Sequence, residues 1–268
     1  MDNTTIGYGR TADVRLHDTA SVLKLFKPFM SRAAVEREFA VANHARAMGL
    51  NTPKPTELVN VDDRTGIVYE RIPGKSLLRE LSENPFRLNA IARQMAQFHH
   101  RLNSVTYDAP ENSQKTHIAG AIKAAPVLSE SDKERIIAYL LTLPDSDRLC
   151  HGDFHPDNIL VTDTLWVIDW MTGSSGHPVG DVARSKVILE TGEIPDSVPV
   201  YVRIFLALGQ KKLARAYIRE YRTVSGVTGG EINAWLLPLY AARLNENLSP
   251  KETAVIVKRI RKEMRKRL

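Results

Sequence analysis

The chain has 268 residues, of which 43% are hydrophobic and 25% are charged. This composition is average for a globular protein and allows a substantial core in one domain or two lobes. The single cysteine, Cys150, excludes an internal disulfide and fits a reducing compartment. The polar N-terminus lacks the apolar core of a signal peptide, and no stretch is long and apolar enough to cross a bilayer. We therefore expect a cytoplasmic protein without a membrane partner.

The formal net charge of +6 comes from residues 251–268, which hold eight Lys or Arg and two Glu. A basic tail of this kind can bind the phosphates of a nucleic acid. Apolar residues recur within it, at Val255, Val257, Ile260 and Met264. This spacing favours a terminal helix with a solvated basic face and an apolar side against the protein. We therefore expect no nucleic-acid partner.

Residues 3–26 are predicted to form three β-strands joined by two turns. They contain the pattern G-x-G-x-x-A-x-V, which starts at Gly7, includes Gly9 and ends at Val14. Glycines let a hairpin turn approach phosphates closely, so that backbone N–H groups can face them. An ordinary glycine hairpin is the alternative interpretation.

The third of these strands, Ser21–Phe26, is apolar except for Lys24. A lysine inside an apolar strand is costly unless its ammonium group meets an anion. We therefore expect the Lys24 ammonium group to meet an anion. A lysine on an edge strand that faces solvent is the alternative.

A helix is predicted over residues 31–49, with Ser31 as its N-cap and Gly49 as its stop. Apolar residues at helical spacing define one face of this helix: Val35, Phe39, Ala42 and Met48. Glu38 lies beside that face. Two strands follow, over residues 56–61 and 66–72, joined by an Asp-Asp-Arg turn.

Beyond residue 73 the chain is predicted to be mainly helical. The expected helices cover residues 85–102, 115–125 and 129–143, and four more run from Pro195 to the end, with breaks at Gly209, 225–230 and 249–250. The first of these helices carries an apolar stripe that is typical of a core-facing side. His99 and His100 close it, which we interpret as cations at a helix C-terminus.

Two short apolar runs, residues 158–161 and 165–168, flank a Thr-Asp-Thr turn and predict a β-hairpin. Folding this hairpin would bring Asp153, Asn158 and Asp169 together. Carboxylate and amide oxygens suit Mg²⁺ bound alongside substrate phosphates. Asp153 would remain available to receive a proton from an attacking hydroxyl group. Phosphoryl transfer requires this combination of positioning, metal and charge compensation.

The run HGDFHPDN at residues 151–158, followed by IDW at 168–170, resembles the catalytic core of the aminoglycoside phosphotransferase family, a kinase-like group of small-molecule kinases. The resemblance implies an α+β, bilobal protein-kinase-like fold. A small N-terminal lobe over residues 1–73 would hold an antiparallel sheet and one helix. A larger, mainly helical C-terminal lobe would cover residues 74–268.

Carried over residue by residue, the resemblance makes Asp153 the catalytic aspartate and Asn158 and Asp169 the metal-binding residues. Asp181 matches the family pattern G-x-P-x-x-D-x-A. Its implied role is structural support of the catalytic loop, which we define as residues 151–158, together with His151. The loop after Asp169 lacks the long segment of regulated protein kinases.

The resemblance also assigns the nucleotide site. Lys24 would contact the α- and β-phosphates and be oriented by Glu38, with Glu36 as the competing partner. The remaining positions are the glycines of the first turn, two valines that would cover adenine and the backbone of a hinge between the lobes: Gly7, Gly9, Val14, Val22, Glu70 and Ile72.

The implied activity is transfer of the γ-phosphate of ATP, with Mg²⁺, to a hydroxyl of a small molecule. The sequence does not distinguish ATP from GTP, a monomer from a dimer, or an aminoglycoside-like antibiotic from choline, another amino alcohol or a sugar. An atypical protein kinase or an RNA-associated kinase-like ATPase is the alternative. A pseudokinase is disfavoured because the expected Lys, Asp and Asn residues are all present.

The sequence contains weaker evidence for the site that binds the phosphate acceptor. Residues 182–248 hold nine Lys or Arg and six Asp or Glu, whereas a pocket for polycationic aminoglycosides should be lined with carboxylates. The candidates for a local acceptor patch are Glu190, Glu193, Asp196, Glu231, Trp235, Asn245 and Glu246.

Overall fold

The computed structural model describes residues 4–192, 200–246 and 248–268; of residues 200–205 it describes the backbone alone. The chain forms two compact units, one made of Met1–Glu83 with Pro156–Gly173 and the other of Asn84–His155 with Ser174–Leu268. These units do not follow chain order, because the hairpin segment packs with the first. The predicted lobe boundary near residue 73 stays a prediction.

The strands lie mainly in the first part of the chain and the helices mainly in the rest, which is an α+β order. The strands are β1 (Thr5–Tyr8), β2 (Ala12–Leu16), β3 (Ser21–Phe26), β4 (Pro55–Val61), β5 (Arg64–Glu70), β6 (Lys75–Ser76), β7 (Arg148–Cys150), β8 (Ile159–Val161), β9 (Leu165–Val167) and β10 (Ser174–Gly176). The helices are α1 (Arg32–Ala47), α2 (Leu77–Glu83), α3 (Leu88–Asn103), α4 (Gln114–Ala124), α5 (Glu130–Thr142), α6 (Pro178–Thr191), α7 (Val200–Ser225), α8 (Gly229–Ala234), α9 (Leu236–Arg243) and α10 (Pro250–Arg267).

The first unit is built on an antiparallel sheet with strand order β1-β2-β3-β5-β4. Successive side chains of a strand point to opposite faces, and one face buries Leu23, Leu25 and Val68 in a small apolar cluster. Gly66 permits the close approach of β5 to this cluster, since a Cβ there would lie 2.8 Å from the Leu23 side chain. Lys24 points to the other face of the same strand.

Helix α1 packs against β4 and β5. Its cap is the predicted one: the Ser31 hydroxyl accepts a hydrogen bond from the Ala34 N–H at 3.3 Å. The helix ends before Gly49, whose φ of 81° suits a residue without a side chain. The buried residues recur at helical spacing: Ala34, Val35, Glu38, Val41, Ala42 and Ala45. Glu38 therefore lies in the middle of the buried face.

A second sheet of the first unit has the order β6-β8-β9 and contains the predicted hairpin. Ile159 pairs with Val167 and Val161 with Leu165, which places the turn at residues 162–164. The register also places Asn158 and Asp169 at the same end of the hairpin, on the side away from the turn.

The second unit is mainly helical. Helix α3 packs against α7, and α9 packs against α4 and α10. Its core contains large side chains from several of these helices: Ile91, Met95, Phe98, Leu102, Tyr217, Trp235 and Leu237. A two-stranded sheet of β7 and β10 lies beside the catalytic loop.

Several details of the helix prediction were wrong, and helix α6 was not predicted. Helix α7 continues through Gly209, since an isolated glycine lowers helix stability without ending a helix. Helix α2 was not predicted, because seven residues give too little periodicity. His99 is fully buried, so it is not a solvated cation at a helix end. Residues 195–199, where the first C-terminal helix was expected to begin, lie outside the described residues.

The α+β fold class is confirmed, with an antiparallel sheet and a mainly helical remainder. Among the residues that the structure describes, no helix has both the length and the apolar character needed to span a bilayer.

Candidate active site

Lys24 occupies the centre of a charged cluster in the first unit. Its Nζ lies 2.6 Å from Glu38 Oε1 on α1 and 2.9 Å from Asp169 Oδ1 after β9. Burial by itself lowers the pKa of Lys24, but the charges and hydrogen bonds of Asp169 and Glu38 outweigh it and raise the pKa above its ordinary value. Lys24 is therefore a fixed cation, and the edge-strand alternative is wrong.

Glu38, the predicted partner of Lys24, is the residue that contacts it, and its role in orienting Lys24 stays a prediction. Its side chain is only 1% exposed, and its Oε1 also accepts a hydrogen bond from the Tyr69 hydroxyl at 3.0 Å. Burial raises the pKa of Glu38, opposed by the charge of Lys24. The competing residue, Glu36, pairs instead with Arg32 on the exposed side of the helix at 2.8 Å.

Asp169 has a left-handed backbone with φ of 69°. Such a conformation costs roughly 1–2 kcal/mol for a residue with a side chain, and outliers of this kind cluster at functional sites. The next residue fixes it: Trp170 is 1% exposed, and its Nε1–H donates to the Thr52 hydroxyl at 2.8 Å. The Asp169 carboxylate, which is 36% exposed, is thereby held towards Lys24 and solvent.

Asn158 and Asp169, the two residues predicted to bind the metal, both belong to the first unit. The Ile168 N–H donates to the Asn158 carbonyl at 3.0 Å, so both side chains leave the same end of the hairpin. A carboxylate and a carboxamide suit Mg²⁺, which takes few protein ligands and completes its shell with water and phosphate oxygens. A resident ion held by protein alone would need more, and residues 4–192, 200–246 and 248–268 contain no cluster of three His, Cys, Asp or Glu that could hold a metal. The donor set therefore fits an ion that arrives with a phosphate ligand.

The glycine pattern lies in the β1–β2 hairpin. Gly9 donates its N–H to the Ala12 carbonyl at 2.8 Å, and a Cβ at Gly9 would lie 2.9 Å from that oxygen. Val14 is the register partner of Lys24. Gly7 and Val22 lie on the same sheet, in β1 and β3. Their roles in nucleotide binding stay predictions.

One residue of the predicted hinge, Glu70, forms hydrogen bonds at the end of the sheet. The Glu70 N–H donates to the Lys54 carbonyl at 2.9 Å, and the Glu70 carboxylate lies 3.6 Å from Arg46. The Glu70 N–H is therefore engaged within the sheet, and the predicted role of the Glu70 backbone in adenine binding stays a prediction. In the described part of the chain, the Ile72 N–H donates no hydrogen bond, so Ile72 fits the predicted role better.

Asp181 anchors the catalytic loop in the second unit. It is fully buried at the start of α6. One carboxylate oxygen accepts the His151 N–H at 2.7 Å, and the other accepts the Gly152 N–H at 2.8 Å. The His151 ring in turn accepts the Asp153 N–H at 3.2 Å. Asp181 and His151 thus have the geometry of the support predicted for them.

A buried polar network continues beneath Asp181, and sequence reasoning missed it. His99 Nε2 lies 2.8 Å from Asp181 Oδ2, and its Nδ1 lies 2.5 Å from the Tyr217 hydroxyl. Asn103 donates to Asp181 at 3.0 Å and accepts from the Tyr221 hydroxyl at 3.0 Å. A signal existed: His99 and Asn103 continue the apolar stripe of α3 with its own spacing, and a buried polar residue requires a partner.

Asp153 belongs to the second unit, whereas Asn158 and Asp169 belong to the first. The predicted proximity of these three residues therefore stays a prediction. His155 Nε2 lies 3.4 Å from its carboxylate. Burial by itself raises the pKa of Asp153, but the hydrogen bond and charge of His155, with the charges of Arg184 and His151, hold the pKa well below its usual range. Asp153 is therefore ionised at neutral pH and able to accept a hydrogen bond from a hydroxyl.

The stability of this loop should depend on pH through Asp181. Burial raises the pKa of Asp181, but the charge and hydrogen bond of His99 and the N–H groups of Gly152 and His151 outweigh it and lower the pKa from 3.8 to about 2. A lowered pKa stabilises the fold above pH 3.8, and this stabilisation is lost as the pH falls through about 2. The stability difference between wild type and Asp181→Asn should therefore shrink by about 2 kcal/mol between pH 7 and pH 2.

Urea unfolding at a series of pH values measures this difference. Asp163→Asn, in the exposed turn of the hairpin, is the matched control and should show a constant offset. A difference for Asp181→Asn that does not change with pH would contradict the assignment.

Most of the acceptor candidates that the structure describes are already engaged. Glu190 lies 2.8 Å from Lys186 and 2.9 Å from Arg259. Glu231 forms a capping box with Thr228 at the start of α8. The others are Glu246, paired with two arginines, Trp235, which is buried, and Asn245, which is exposed on the chain that follows α9. Glu193 and Asp196 lie outside the described residues.

Comparison with solved structures shows similar folds at low identity. An aminoglycoside-3'-phosphotransferase of type VIII is 18% identical, with 89% of this chain and 91% of that chain covered and a TM-score of 0.61. An aminoglycoside phosphotransferase, APH(2'')-Ib, is 16% identical over 96% and 90% with a TM-score of 0.59. A choline/ethanolamine kinase family protein from Mesorhizobium loti is 18% identical over 97% and 85% with a TM-score of 0.52.

No curated protein matches the sequence closely enough to be a relative. The family model described as the phosphotransferase enzyme family, APH, matches residues 4–221. This match covers most of the chain and includes both the Lys24 cluster and the catalytic loop. The chain therefore belongs to the phosphotransferase enzyme family and is a kinase-type enzyme.

Proposed function

We propose that this enzyme transfers the γ-phosphoryl group of ATP, in the presence of Mg²⁺, to a hydroxyl group of a small molecule. The observation that carries the proposal is the buried contact of Lys24 with Glu38 and Asp169, at 2.6 Å and 2.9 Å. Such an arrangement presents one fixed cation beside a partly exposed carboxylate, as phosphate binding with a metal requires. The similar APH(2'')-Ib was solved with ADP bound, which supports nucleotide use here.

In this proposal Asp153 acts on the acceptor. Its ionised carboxylate accepts a hydrogen bond from the acceptor hydroxyl, which orients the oxygen for attack. The new O–P bond forms as the bond between the γ-phosphorus and the β–γ bridging oxygen breaks. The hydroxyl proton passes to the Asp153 carboxylate, and ADP leaves.

The other residues bind the charged phosphates and the metal ion. The Lys24 ammonium contacts the α- and β-phosphates, and Glu38 keeps it in place. Asn158 and Asp169 would hold Mg²⁺, which when bound neutralises charge on the phosphate oxygens. The Ile72 N–H and the valines at positions 14 and 22 would receive the adenine ring.

The metal assignment predicts a change in magnesium dependence. Asp169→Asn removes a charged ligand, so we expect the Mg²⁺ concentration for half-maximal activity to rise by roughly 10- to 100-fold. Asn158→Ala should change it in the same direction. Titration of Mg²⁺ at fixed ATP measures the effect, with Asp163→Asn as the control. An unchanged titration curve for both variants would remove these residues from the metal site.

The described acceptor candidates favour an acceptor with few positive charges. Glu190 contacts Lys186 and Arg259, and Glu246 contacts two arginines, at distances of 2.7 to 2.9 Å. Carboxylates that are already paired would have to lose a partner to bind an ammonium group. We therefore propose a hydroxylated acceptor with at most one cationic group, such as an amino alcohol or a sugar, in preference to a polycationic aminoglycoside.

A panel of acceptors tests both levels of the proposal. Purified enzyme is incubated with ATP and Mg²⁺ together with single sugars, amino alcohols or aminoglycosides, and products are detected by mass spectrometry. A mass gain of one phosphoryl group on a sugar or amino alcohol supports the proposal. Transfer to aminoglycosides alone would overturn the acceptor class, and transfer to none of these classes in the presence of bound nucleotide would overturn small-molecule phosphorylation.

A further inference from the structure

We propose that Arg184 is a positioning residue for the catalytic loop, that it acts by holding the carbonyl group of Gly152, and that Glu246 holds Arg184 in turn. The inference rests on the proposed function, because it takes Asp153 as the residue that acts on the acceptor hydroxyl. It adds two residues that lie outside the sequence run by which the family resemblance was found.

The argument starts from the backbone of Gly152, which directly precedes Asp153. Gly152 has φ of 76°, a conformation that glycine adopts readily. Its N–H donates to Asp181 Oδ1 at 2.8 Å, and its carbonyl accepts from Arg184 Nε at 3.1 Å. Both polar groups of this residue are therefore fixed by side chains. The carbonyl belongs to the peptide that links Gly152 to Asp153, so its orientation determines where the Asp153 Cα lies.

Both side chains come from one face of one helix. Asp181 and Arg184 are three residues apart on α6, and residues at this spacing are neighbours on the helix surface. Their charges are opposite and match the groups they hold. The Asp181 carboxylate can only accept hydrogen bonds, and it accepts one from the Gly152 N–H. The Arg184 guanidinium can only donate, and it donates one to the Gly152 carbonyl. Helix α6 thus forms hydrogen bonds with both polar backbone groups of Gly152.

Arg184 is itself held from the far side. Its Nη2 lies 2.7 Å from Glu246 Oε1, and Glu246 Oε2 lies 2.7 Å from Arg243 Nη1. The Arg243 guanidinium also donates to the Thr191 carbonyl at 3.3 Å. The side chains of Arg184 and Glu246 are 16% and 19% exposed. They are thus sufficiently enclosed to be ordered and still accessible to a small ion.

A planar guanidinium is needed to do both tasks. Arg184 uses Nε for the Gly152 carbonyl and Nη2 for Glu246, two donors whose relative directions are fixed by the plane of the group. A lysine has one nitrogen and cannot reproduce this geometry. The charge of Arg184 also contributes to the low pKa of Asp153. The residue therefore influences both the place and the charge of Asp153 without forming part of the loop.

Loss of this contact should impair the chemical step and leave nucleotide binding intact. A displacement of about 1 Å in a catalytic group can cost up to roughly 100-fold in rate. Arg184 contacts the loop, and the nucleotide residues proposed above lie elsewhere in the sequence. We therefore expect the effect in kcat, with the KM for ATP unchanged.

The test uses the full-length enzyme and needs no knowledge of the acceptor. Slow hydrolysis of ATP, with water as acceptor, gives kcat and KM for wild type, Arg184→Gln, Arg184→Lys and Glu246→Gln. We expect both Arg184 variants to lose roughly 10- to 100-fold in kcat, with Glu246→Gln affected in the same direction and less. Lys186→Gln is the matched control, since it breaks a 2.8 Å ion pair on the same helix; it should keep the wild-type kcat.

Chemical rescue separates positioning from folding. Arg184→Ala should regain activity when guanidinium ions are added at concentrations well below those that unfold the protein, whereas sodium ions at equal strength should not restore it. Melting temperatures of all variants are recorded, and if Arg184→Ala does not fold, Arg184→Lys and Glu246→Gln decide the question. Wild-type kcat in these variants, or a loss that appears only in KM, would overturn the inference.

The failure of this inference differs from the failure of the proposed function. If Asp153→Asn is strongly impaired while the Arg184 variants are normal, only the role of Arg184 is wrong. If Asp153→Asn hydrolyses ATP and phosphorylates acceptors as fast as wild type, the role of Asp153 is wrong whatever the Arg184 variants show. The proposed function itself is wrong if the acceptor panel yields no phosphorylated product in the presence of bound nucleotide.

Discussion

Replacing Asp153 with Asn is expected to lower kcat by roughly 10²- to 10⁴-fold, the usual contribution of general acid–base catalysis. Asn keeps the shape and one oxygen but cannot receive the acceptor proton. His155 at 3.4 Å and the charge of Arg184 hold the Asp153 carboxylate ionised in the wild type. The substitution therefore removes a negatively charged group. The nucleotide residues are unaltered, and ATP binding should persist.

Transfer to the acceptor found in the panel, followed at saturating ATP, measures the loss in kcat, and calorimetry with ATP and Mg²⁺ measures binding. Asp147→Asn is a suitable control, because this carboxylate is 52% exposed and pairs with Arg148 at 3.5 Å. The role assigned to Asp153 is wrong if the Asn variant turns over at the wild-type rate. Loss of ATP affinity together with kcat would instead point to a folding defect.

Lys24→Met is expected to lower the free energy of unfolding by about 3–5 kcal/mol, the usual effect of removing one partner of a buried ion pair. The reason is Glu38, which is only 1% exposed and would lose the ammonium that balances its charge. The Tyr69 hydroxyl at 3.0 Å would remain as its donor. The KM for ATP should rise as well, because the cation for the phosphates is gone.

A double variant separates these two effects. Adding Glu38→Gln to Lys24→Met removes the uncompensated charge, so stability should recover in large part while the KM for ATP stays high. Lys27→Met is the matched control: Lys27 pairs with Asp13 at 2.6 Å but is 30% exposed, and we expect a change of about 1 kcal/mol or less. Urea unfolding and steady-state kinetics give both quantities. A Lys24→Met enzyme with wild-type stability and KM would contradict the assignment.

The sequence was sufficient for features that depend on short-range patterns. The β8–β9 hairpin, the Ser31 cap and the Gly49 stop each follow from a few neighbouring residues. The pairing of Lys24 with Glu38 was expected from the family resemblance. The residues by themselves indicated only that a lysine in an apolar strand needs an anion.

Features that depend on distant partners were not predictable. His99 and Tyr217 are 118 positions apart, as are Asn103 and Tyr221. Nothing near His99 in the sequence indicates a partner on α7, so a position at the helix end suggested a solvated cation. The hydrogen bond from the Glu70 N–H to the Lys54 carbonyl was not predictable either, since Lys54 lies 16 positions earlier, just before β4.

The network under Asp181 has a consequence for how the enzyme becomes active after synthesis. It joins α3, the loop after β7, α6 and α7, four segments spread over more than 100 residues. Contacts between distant parts of a chain are slow to form, because loop-closure entropy must be overcome first. We therefore expect the catalytic loop to acquire its working shape only when the second unit is assembled, and a partly folded chain to be inactive.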